Sequence, residues 1–375
     1  MAGIYLHIPF CKKACYYCNF HFSTSINRMP EMVNAILHEI DLKQSYLSEP
    51  VETIYFGGGT PSLLPPSASR QILEKLDHIF HIAENAEITL EANPDDISIE
   101  QLSDWRLAGI NRLSIGIQSF FEKDLVWMNR AHNAGQAVAA IEAAQQSGFR
   151  NITIDLIYGS PGLSDENWVA NIEKALLYQI PHLSCYALTV EPRTALEKMI
   201  ANHQFENTDP DTQARHFSIL TNRLQQAGYE QYEISNFALP GFRSRHNSSY
   251  WQGKPYLGLG PSAHSFDGKS RQWNIANNAV YLNAIAAGEI PAESETLTGI
   301  QQLNEYIMTS LRTMEGISVK KVATNWGEEK AALLLAGASK HRHRGYLTNT
   351  NDWIILTDTG KFLADGIAAD LFFTE

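Results

Sequence analysis

Cys11, Cys15 and Cys18 place three thiols on one short segment with the spacing CxxxCxxC. Thiolates this close can converge on one iron–sulfur cubane, each taking one iron and leaving the fourth iron without a cysteine. An open iron of that kind binds a small chelate, and the amino and carboxylate groups of S-adenosylmethionine (SAM) fit the role. Reductive cleavage of the adjacent C–S bond would yield a 5′-deoxyadenosyl radical, chemistry that belongs to the cofactor while the protein positions it. A structural zinc site prefers four ligands, usually in two close pairs, and here would need Cys185 or a histidine as the fourth. A disulfide would leave one of the three thiols over.

Other polar groups recur at one end of successive β-rich runs. The runs are Ile4–Ile8, Thr53–Phe56, Glu87–Glu91, Arg112–Ile117, Ile152–Ile157 and Leu183–Leu188. Cys11 follows the first run and Gly57-Gly58-Gly59-Thr60 the second. Glu91 ends the third, Gln118 ends the fourth, Asp155 lies in the fifth, and Cys185 to Ala187 lies in the sixth. Glycines let backbone N–H groups approach a ligand carboxylate. Between the runs lie helical patterns: Met32, Val33, Ile36, Leu37 and Ile40 share one face, as do Ile72, Leu73, Leu76, Ile79 and Phe80, and Trp168, Ile172, Ala175 and Leu176. Strands separated by helices imply right-handed crossovers and a parallel sheet. An open doubly wound sheet and an incomplete barrel both satisfy the pattern, and both gather function at the strands' C-terminal ends.

From about Glu191 the alternation stops. A polar stretch and a helix near Gln213–Ala227 precede a Gly-, Pro- and aromatic-rich region, Asn236–Asn274, which is long for a connection and suggests a functional surface. Beyond about Glu295, helical runs, two short strands (Tyr346–Thr348 and Trp353–Leu356) and a last helix near Thr359–Leu371 suggest a winged-helix-like α+β module. The chain has 375 residues, 44% of them apolar, and a net charge of −12. That size favours two domains, and the acidity argues against bulk binding of nucleic acid or anionic lipid. The basic cluster His341-Arg-His-Arg344 is too short to reverse this. No stretch approaches the roughly 20 apolar residues of a membrane span, and Met1–Cys15 does not read as a signal peptide. A cytoplasmic location is expected, where thiols stay reduced.

The chain resembles the radical SAM superfamily. Within it the likeness is to the coproporphyrinogen III dehydrogenase-like branch, especially its heme chaperones of the HemW type. It is carried by Tyr5-Leu-His-Ile-Pro-Phe-Cys11, the cysteine loop, Gly57-Gly-Gly-Thr-Pro61, Gly116-Ile-Gln-Ser-Phe120, Asp155-Leu-Ile-Tyr-Gly159 and His246-Asn-Ser-Ser-Tyr250-Trp251. The resemblance spans essentially the whole chain. It implies an α/β fold: a partial (β/α)6 TIM-like barrel in residues 1–235, an irregular connecting region in 236–294, and a winged-helix-like domain in 295–375.

It also implies a [4Fe–4S] cluster on Cys11, Cys15 and Cys18. SAM would be held by Gly58, Gly59 and Thr60 at its methionyl part, Gln118 and Asp155 at the ribose, Arg130 at the carboxylate, and Tyr17 and Ala187 near adenine. Tyr5, Gly58 and Glu91 match positions that face a second SAM in the dehydrogenase. Two departures count against decarboxylation of coproporphyrinogen: Phe20 stands where the dehydrogenase has a fourth cysteine, and Cys11 lies near the start of the sequence, where the dehydrogenase has an N-terminal extension. The motif His246-Asn-x-x-Tyr250-Trp251 points instead to heme, with His246 as an axial ligand and the two aromatics against the macrocycle. His264 is a reserve ligand. The partners implied are heme or a porphyrin, heme-accepting membrane proteins of the respiratory type, and an electron donor; a homodimer is left open.

Overall fold

The computed structural model describes residues 2–350 and 352–374. Six parallel strands form its centre: β1 (Ala2–Ile8), β2 (Val51–Gly58), β3 (Ile82–Ala92), β4 (Arg112–Gln118), β5 (Asn151–Tyr158) and β6 (His182–Ala187). They lie side by side in sequence order, β1 to β6. That order resolves the choice left open by the sequence. A doubly wound sheet reverses direction at a switch point and places helices on both faces. With no reversal, right-handed crossovers put every helix on one side, and the sheet curls into a partial barrel.

The helices form for local reasons. Met29–Leu42 starts with a proline in its first turn and buries Met32, Val33, Ile36 and Ile40 along one stripe. Ala134–Gln146 begins at a reciprocal capping box between Asn133 and Gln136. The strands present one apolar face to the helices; Ile4, Leu6, Ile54, Phe56, Leu113, Ile115, Ile154 and Leu156 are all at or near zero exposure, while alternate positions such as Ser114, Gln118, Thr153 and Asp155 face the barrel interior.

The sheet continues past both ends of this set. On one side β6 pairs antiparallel with β8 (Asn236–Ala238), which pairs with β7 (Glu230–Glu233). On the other, β1 pairs in parallel with β9 (Tyr256–Leu259). Beyond it follow β10 (His264–Phe266), β11 (Ser270–Asn274) and β12 (Ala292–Thr296). The twelve-stranded sheet ends at β12 and β7 and stays open. The stretch 236–294, read from sequence as irregular, therefore carries short strands that extend the sheet at both ends, together with two helices, Arg245–Trp251 and Asn278–Ala286. Its strands are three to five residues long, too short to show the period-2 alternation that marks a strand.

A buried carboxylate fastens this extension to the barrel. Glu39, fully buried on helix Met29–Leu42, pairs with Lys43 at 2.8 Å. It also accepts from Asn274 Nδ2 (2.6 Å), the Tyr281 hydroxyl (2.6 Å) and the Gly260 N–H (2.7 Å). Lys43 donates in turn to the Gly258 carbonyl at 3.1 Å.

The last part of the chain has its own core of Leu303, Ile307, Leu311, Ile317, Val322, Leu334 and Ile354. Helix Gly299–Leu311, β13 (Ile317–Ser318), helices Val319–Trp326 and Glu328–His343, β14 (Leu347–Thr350) and β15 (Trp353–Leu356) follow in the order of a winged helix. The three strands form a small antiparallel sheet, β13-β15-β14. The expected last helix is two pieces, Asp358–Lys361 and Ala364–Asp370. Arg312 ties this part to the barrel through Glu233, 2.9 Å away and 2% exposed.

Candidate functional site

The cysteine loop leaves the end of β1 and is pinned at its base. The Cys11 N–H donates to the Ser23 carbonyl at 3.0 Å, and the Ser23 N–H to the Pro9 carbonyl at 2.9 Å. Gly59 runs beneath it: a Cβ at that position would sit 2.6 Å from the Phe10 carbonyl oxygen, so only glycine permits the approach. Thr60 Oγ1 donates to Cys11 Sγ at 3.4 Å. Arg130 donates to Cys15 Sγ at 3.3 Å and to the Tyr17 hydroxyl at 3.4 Å. All three thiols are unbridged, partly exposed, and line one cavity of about 430 Å³. Burial pushes the Cys11 thiol up to about 11, against the lowering effect of Thr60's hydrogen bond. Cys185, the fourth cysteine, is buried in β6 away from this cavity's lining.

The strand ends supply the cavity's polar wall. Gly58, at φ +105°, turns the chain out of β2. Gln118 ends β4 at φ +64°, a backbone region that costs a non-glycine residue free energy and is favoured at ligand sites. Asp155 in β5 lies beside Ser114 and Ser184, which hydrogen-bond it. Burial raises its carboxyl to about 6; the charges of Arg112 and Arg130 limit the rise. Glu91 at the end of β3 accepts from the Tyr55 hydroxyl at 2.7 Å. Burial pushes it up to about 7 against that hydrogen bond, with Asp155's charge adding to the rise. Ala187 closes the wall from β6. Thus Tyr17, Gly58, Gly59, Thr60, Glu91, Gln118, Arg130, Asp155 and Ala187 share the cavity of the cysteines. Tyr5 lies outside it.

Tyr5 faces a second, larger cavity of about 950 Å³, which adjoins the first at Asn19, Phe20, Gly58 and Glu91. Its walls come from β9–β11, from helix Arg245–Trp251, and from helices Gly299–Leu311 and Val319–Trp326 of the C-terminal part. Helix Arg245–Trp251 carries the His-Asn-x-x-Tyr-Trp motif and spreads it over three places. Tyr250 and Trp251 line the larger cavity, and Asn247 reaches the cavity of the cysteines.

His246 does neither. It is 1% exposed, and its ring stacks on Tyr55 at 4.9 Å. Nδ1 pairs with Thr53 Oγ1 and Nε2 with the Tyr250 hydroxyl, each at 2.8 Å. Its N–H donates to Glu87, whose carboxylate caps the helix N-terminus. Burial, with Arg112's charge, holds the imidazole down at about 3, hence neutral. Both ring nitrogens are thus engaged inside the protein, the Nε2 bond following from the helical i, i+4 spacing of His246 and Tyr250; ligation of heme by His246 would need the bond to Tyr250 to open.

Sequence reasoning missed several residues. Asn93 Oδ1 accepts from Arg130 at 2.7 Å, while its Nδ2 donates to Thr60 at 3.3 Å, so it joins the cation to the glycine turn. Its place two residues after Glu91 at a strand end was the available signal. Arg112, 1% exposed, sits behind Asp155 and donates to Thr153. An arginine opening a β-rich run is a comparable signal. Among the described residues no three His, Cys, Asp or Glu side chains converge tightly enough for a single metal ion. A cubane spreads its three thiolates over three irons, so the wider setting of Cys11, Cys15 and Cys18 around one cavity fits a cluster.

The sequence model of the radical SAM superfamily matches residues 5–175. The heme chaperone HemW of Mycobacterium tuberculosis is 33% identical, over 98% of this chain and 94% of its own length. That of Bacillus subtilis is 31% identical over 98% of both chains. The chain belongs to the HemW family of radical SAM proteins. HemW of Escherichia coli extends the likeness, at 32% identity over all of this chain and 98% of its own. Among solved structures, coproporphyrinogen III oxidase (HemN) of E. coli superposes with a TM-score of 0.86, covering 99% of this chain and 90% of its own at 22% identity. At that identity the likeness establishes the shared fold, with its partial barrel. No helix among the described residues is long and apolar enough to cross a membrane.

Proposed function

We propose that this protein is a heme chaperone that carries a [4Fe–4S] cluster on Cys11, Cys15 and Cys18, binds SAM beside it, and hands heme to membrane hemoproteins. The observation that carries the reading is the pairing of two adjoining cavities. One unites the three thiols with a cation and the polar strand ends; the other is larger and rich in aromatic side chains. Family membership supports it, because the relatives are named heme chaperones.

Within the first cavity each group has a task. The cluster, when bound, supplies an open iron and an electron. Arg130 presents a fork to a carboxylate, steadied by Asn93 and by the Gly116 carbonyl at 2.8 Å. Gly58 and Gly59 bring backbone close to the methionyl portion. Asp155 and Gln118 offer acceptor and donor groups to ribose hydroxyls, and Tyr17 and Ala187 flank the adenine. Glu91, half-neutral near pH 7, faces both cavities and is placed to sense a cation in either.

Heme titration of the anaerobically reconstituted protein, followed by transfer to an apo-hemoprotein of a respiratory membrane, tests the proposal. Saturable binding and SAM- or reductant-dependent transfer are expected. SAM-dependent conversion of coproporphyrinogen to protoporphyrinogen without heme transfer would replace it with the dehydrogenase activity.

A further inference from the structure

The floor of the cysteine cavity holds a cation to which the proposed function gives no task. Arg112 opens β4 and is 1% exposed. It lines the cavity together with Ser114, Thr153, Asp155 and Ser184. The register sets Ser114 beside Thr153 and Asp155 beside Ser184. Arg112 and Ser114 on β4, like Thr153 and Asp155 on β5, share one face by the two-residue period of a strand. A charge buried this deeply is costly unless a partner gains from it.

The guanidinium is fixed in orientation. Its Nη2 donates to Thr153 Oγ1. The same oxygen pairs with His182 Nδ1 at 3.0 Å, and His182 Nε2 pairs with the Tyr232 hydroxyl at 2.7 Å. The Tyr232 oxygen accepts the Ser244 N–H at 3.3 Å. Burial, with Arg112's charge, holds His182 well below the usual imidazole range, hence neutral. The arrangement that pairs every proton of this chain has the phenol donating to Nε2 and the Nδ1 proton going to Thr153. Thr153 then accepts twice, so Arg112 is locked at one end by a residue that is itself locked.

Two carboxylates flank the other side. Glu87 stands 3.9 Å from Nε. It already accepts the N–H groups of Arg245 at 3.2 Å and His246 at 3.0 Å, so it is satisfied without Arg112. Asp155 depends on it more. Burial raises the Asp155 carboxyl to about 6, and Arg112 is the foremost group opposing that rise, ahead of Arg130 and the hydroxyls of Ser184 and Ser114. Arg112 Nε has no hydrogen-bond partner among the described residues. Its charge is therefore free to act on the carboxylate that faces the cavity. The state of that carboxylate matters for a sugar. Ionised, it accepts from two vicinal hydroxyls; protonated, it turns one of its oxygens into a donor.

We propose that Arg112 is a positioning residue for SAM, acting through Asp155, whose carboxylate it holds ready as the acceptor for the ribose hydroxyls. The proposal rests on the SAM-binding reading of this cavity and names the residue on which its ribose acceptor depends. The other titratable groups facing Asp155 are Arg130, Glu91, Tyr55, Cys185 and Tyr186. Of these Glu91, raised to about 7, changes charge near neutrality, so the test separates it from Asp155.

The test is equilibrium dialysis of SAM against the anaerobically cluster-loaded, full-length protein, from about pH 6 to about pH 9. Arg112→Met should bind SAM roughly tenfold more weakly at neutral pH, regain most of the loss at the alkaline end, and move the pH profile up by about one unit. Arg112→Lys keeps the charge and should keep the profile near that of the unmodified protein. In Asp155→Asn, already weak at every pH, adding Arg112→Met should cost nothing further; the pH dependence left there belongs to Glu91. Thr153→Val frees the guanidinium without removing its charge and should move the profile the same way by a smaller step, which keeps the test open if Arg112→Met loads no cluster. A loss in Arg112→Met that is equal at every pH and recurs on the Asp155→Asn background is the mark of a structural role and would overturn the proposal, as would an unchanged affinity. An Asp155→Asn protein that binds SAM normally would instead reject Asp155 as the ribose acceptor, and this proposal with it.

Discussion

Replacing Glu39 by leucine takes away the carboxylate that ties the β9–β12 extension to the barrel. The side chain accepts from Lys43, Asn274, Tyr281 and Gly260, all within 2.6–2.8 Å, and is fully buried. Some partners keep other bonds: Asn274 still donates to the Gly260 carbonyl, and Lys43 to the Gly258 carbonyl. The decisive loss is the counter-charge of Lys43, whose side chain is 2% exposed. Stranding one member of a buried ion pair costs about 3–5 kcal/mol, whereas exchanging both members for apolar side chains of similar size is often neutral. Glu39→Leu is therefore expected to lower the unfolding free energy by about 3–5 kcal/mol, and Glu39→Met with Lys43→Met to recover most of it. Urea unfolding followed by tryptophan fluorescence measures both, as a midpoint shift at constant slope. Because Gly258, Gly260 and Asn274 frame β10, hemin affinity should fall with the single variant and return with the double. A loss below about 1 kcal/mol, or a double variant no more stable than the single, would refute the reasoning.

Other expectations follow from the site. Arg130→Met removes the fork aimed at SAM's carboxylate; SAM affinity by equilibrium dialysis should drop roughly 10–100-fold, as for loss of a charged hydrogen bond worth about 1.5–3 kcal/mol. Gly59→Ala drives a Cβ into the Phe10 carbonyl, so the cysteine loop must shift, and iron incorporation should fall sharply while far-UV circular dichroism is retained. Glu91 carries a native pKa raised from 4.5 to about 7. Between those values the native state holds more protons than the unfolded chain, so this group makes stability decline as pH rises through the window. Glu91→Gln should therefore be more stable than the unmodified cluster-free protein at pH 8, by roughly 1–2 kcal/mol after allowing for water at its cavity face. No such gain is expected at pH 4, and paired urea titrations at the two pH values check it.

What the sequence disclosed depended on how local each signal was. The six parallel strands were legible because each is a short run rich in β-branched and apolar residues, alternating with polar ones, between helical patterns. The cluster loop was legible because its ligands lie within one turn of chain. The edges of the sheet were not, since β8, β9 and β10 are too short for periodicity, and their partners β6 and β1 are remote in sequence. His246 shows the other limit. Its motif was visible, but the face a side chain takes on a seven-residue helix depends on what packs against it, here Thr53 and Tyr55 of β2.

The [4Fe–4S] site is tested most directly by electron paramagnetic resonance of anaerobically reconstituted, dithionite-reduced protein, recorded with and without SAM alongside metal and sulfide analysis. About four irons and four sulfides per chain are expected, with a cube-type signal that SAM alters, and loss of both in the Cys11→Ala, Cys15→Ala, Cys18→Ala triple variant. Zinc in place of iron, or a cube signal indifferent to SAM, would contradict it.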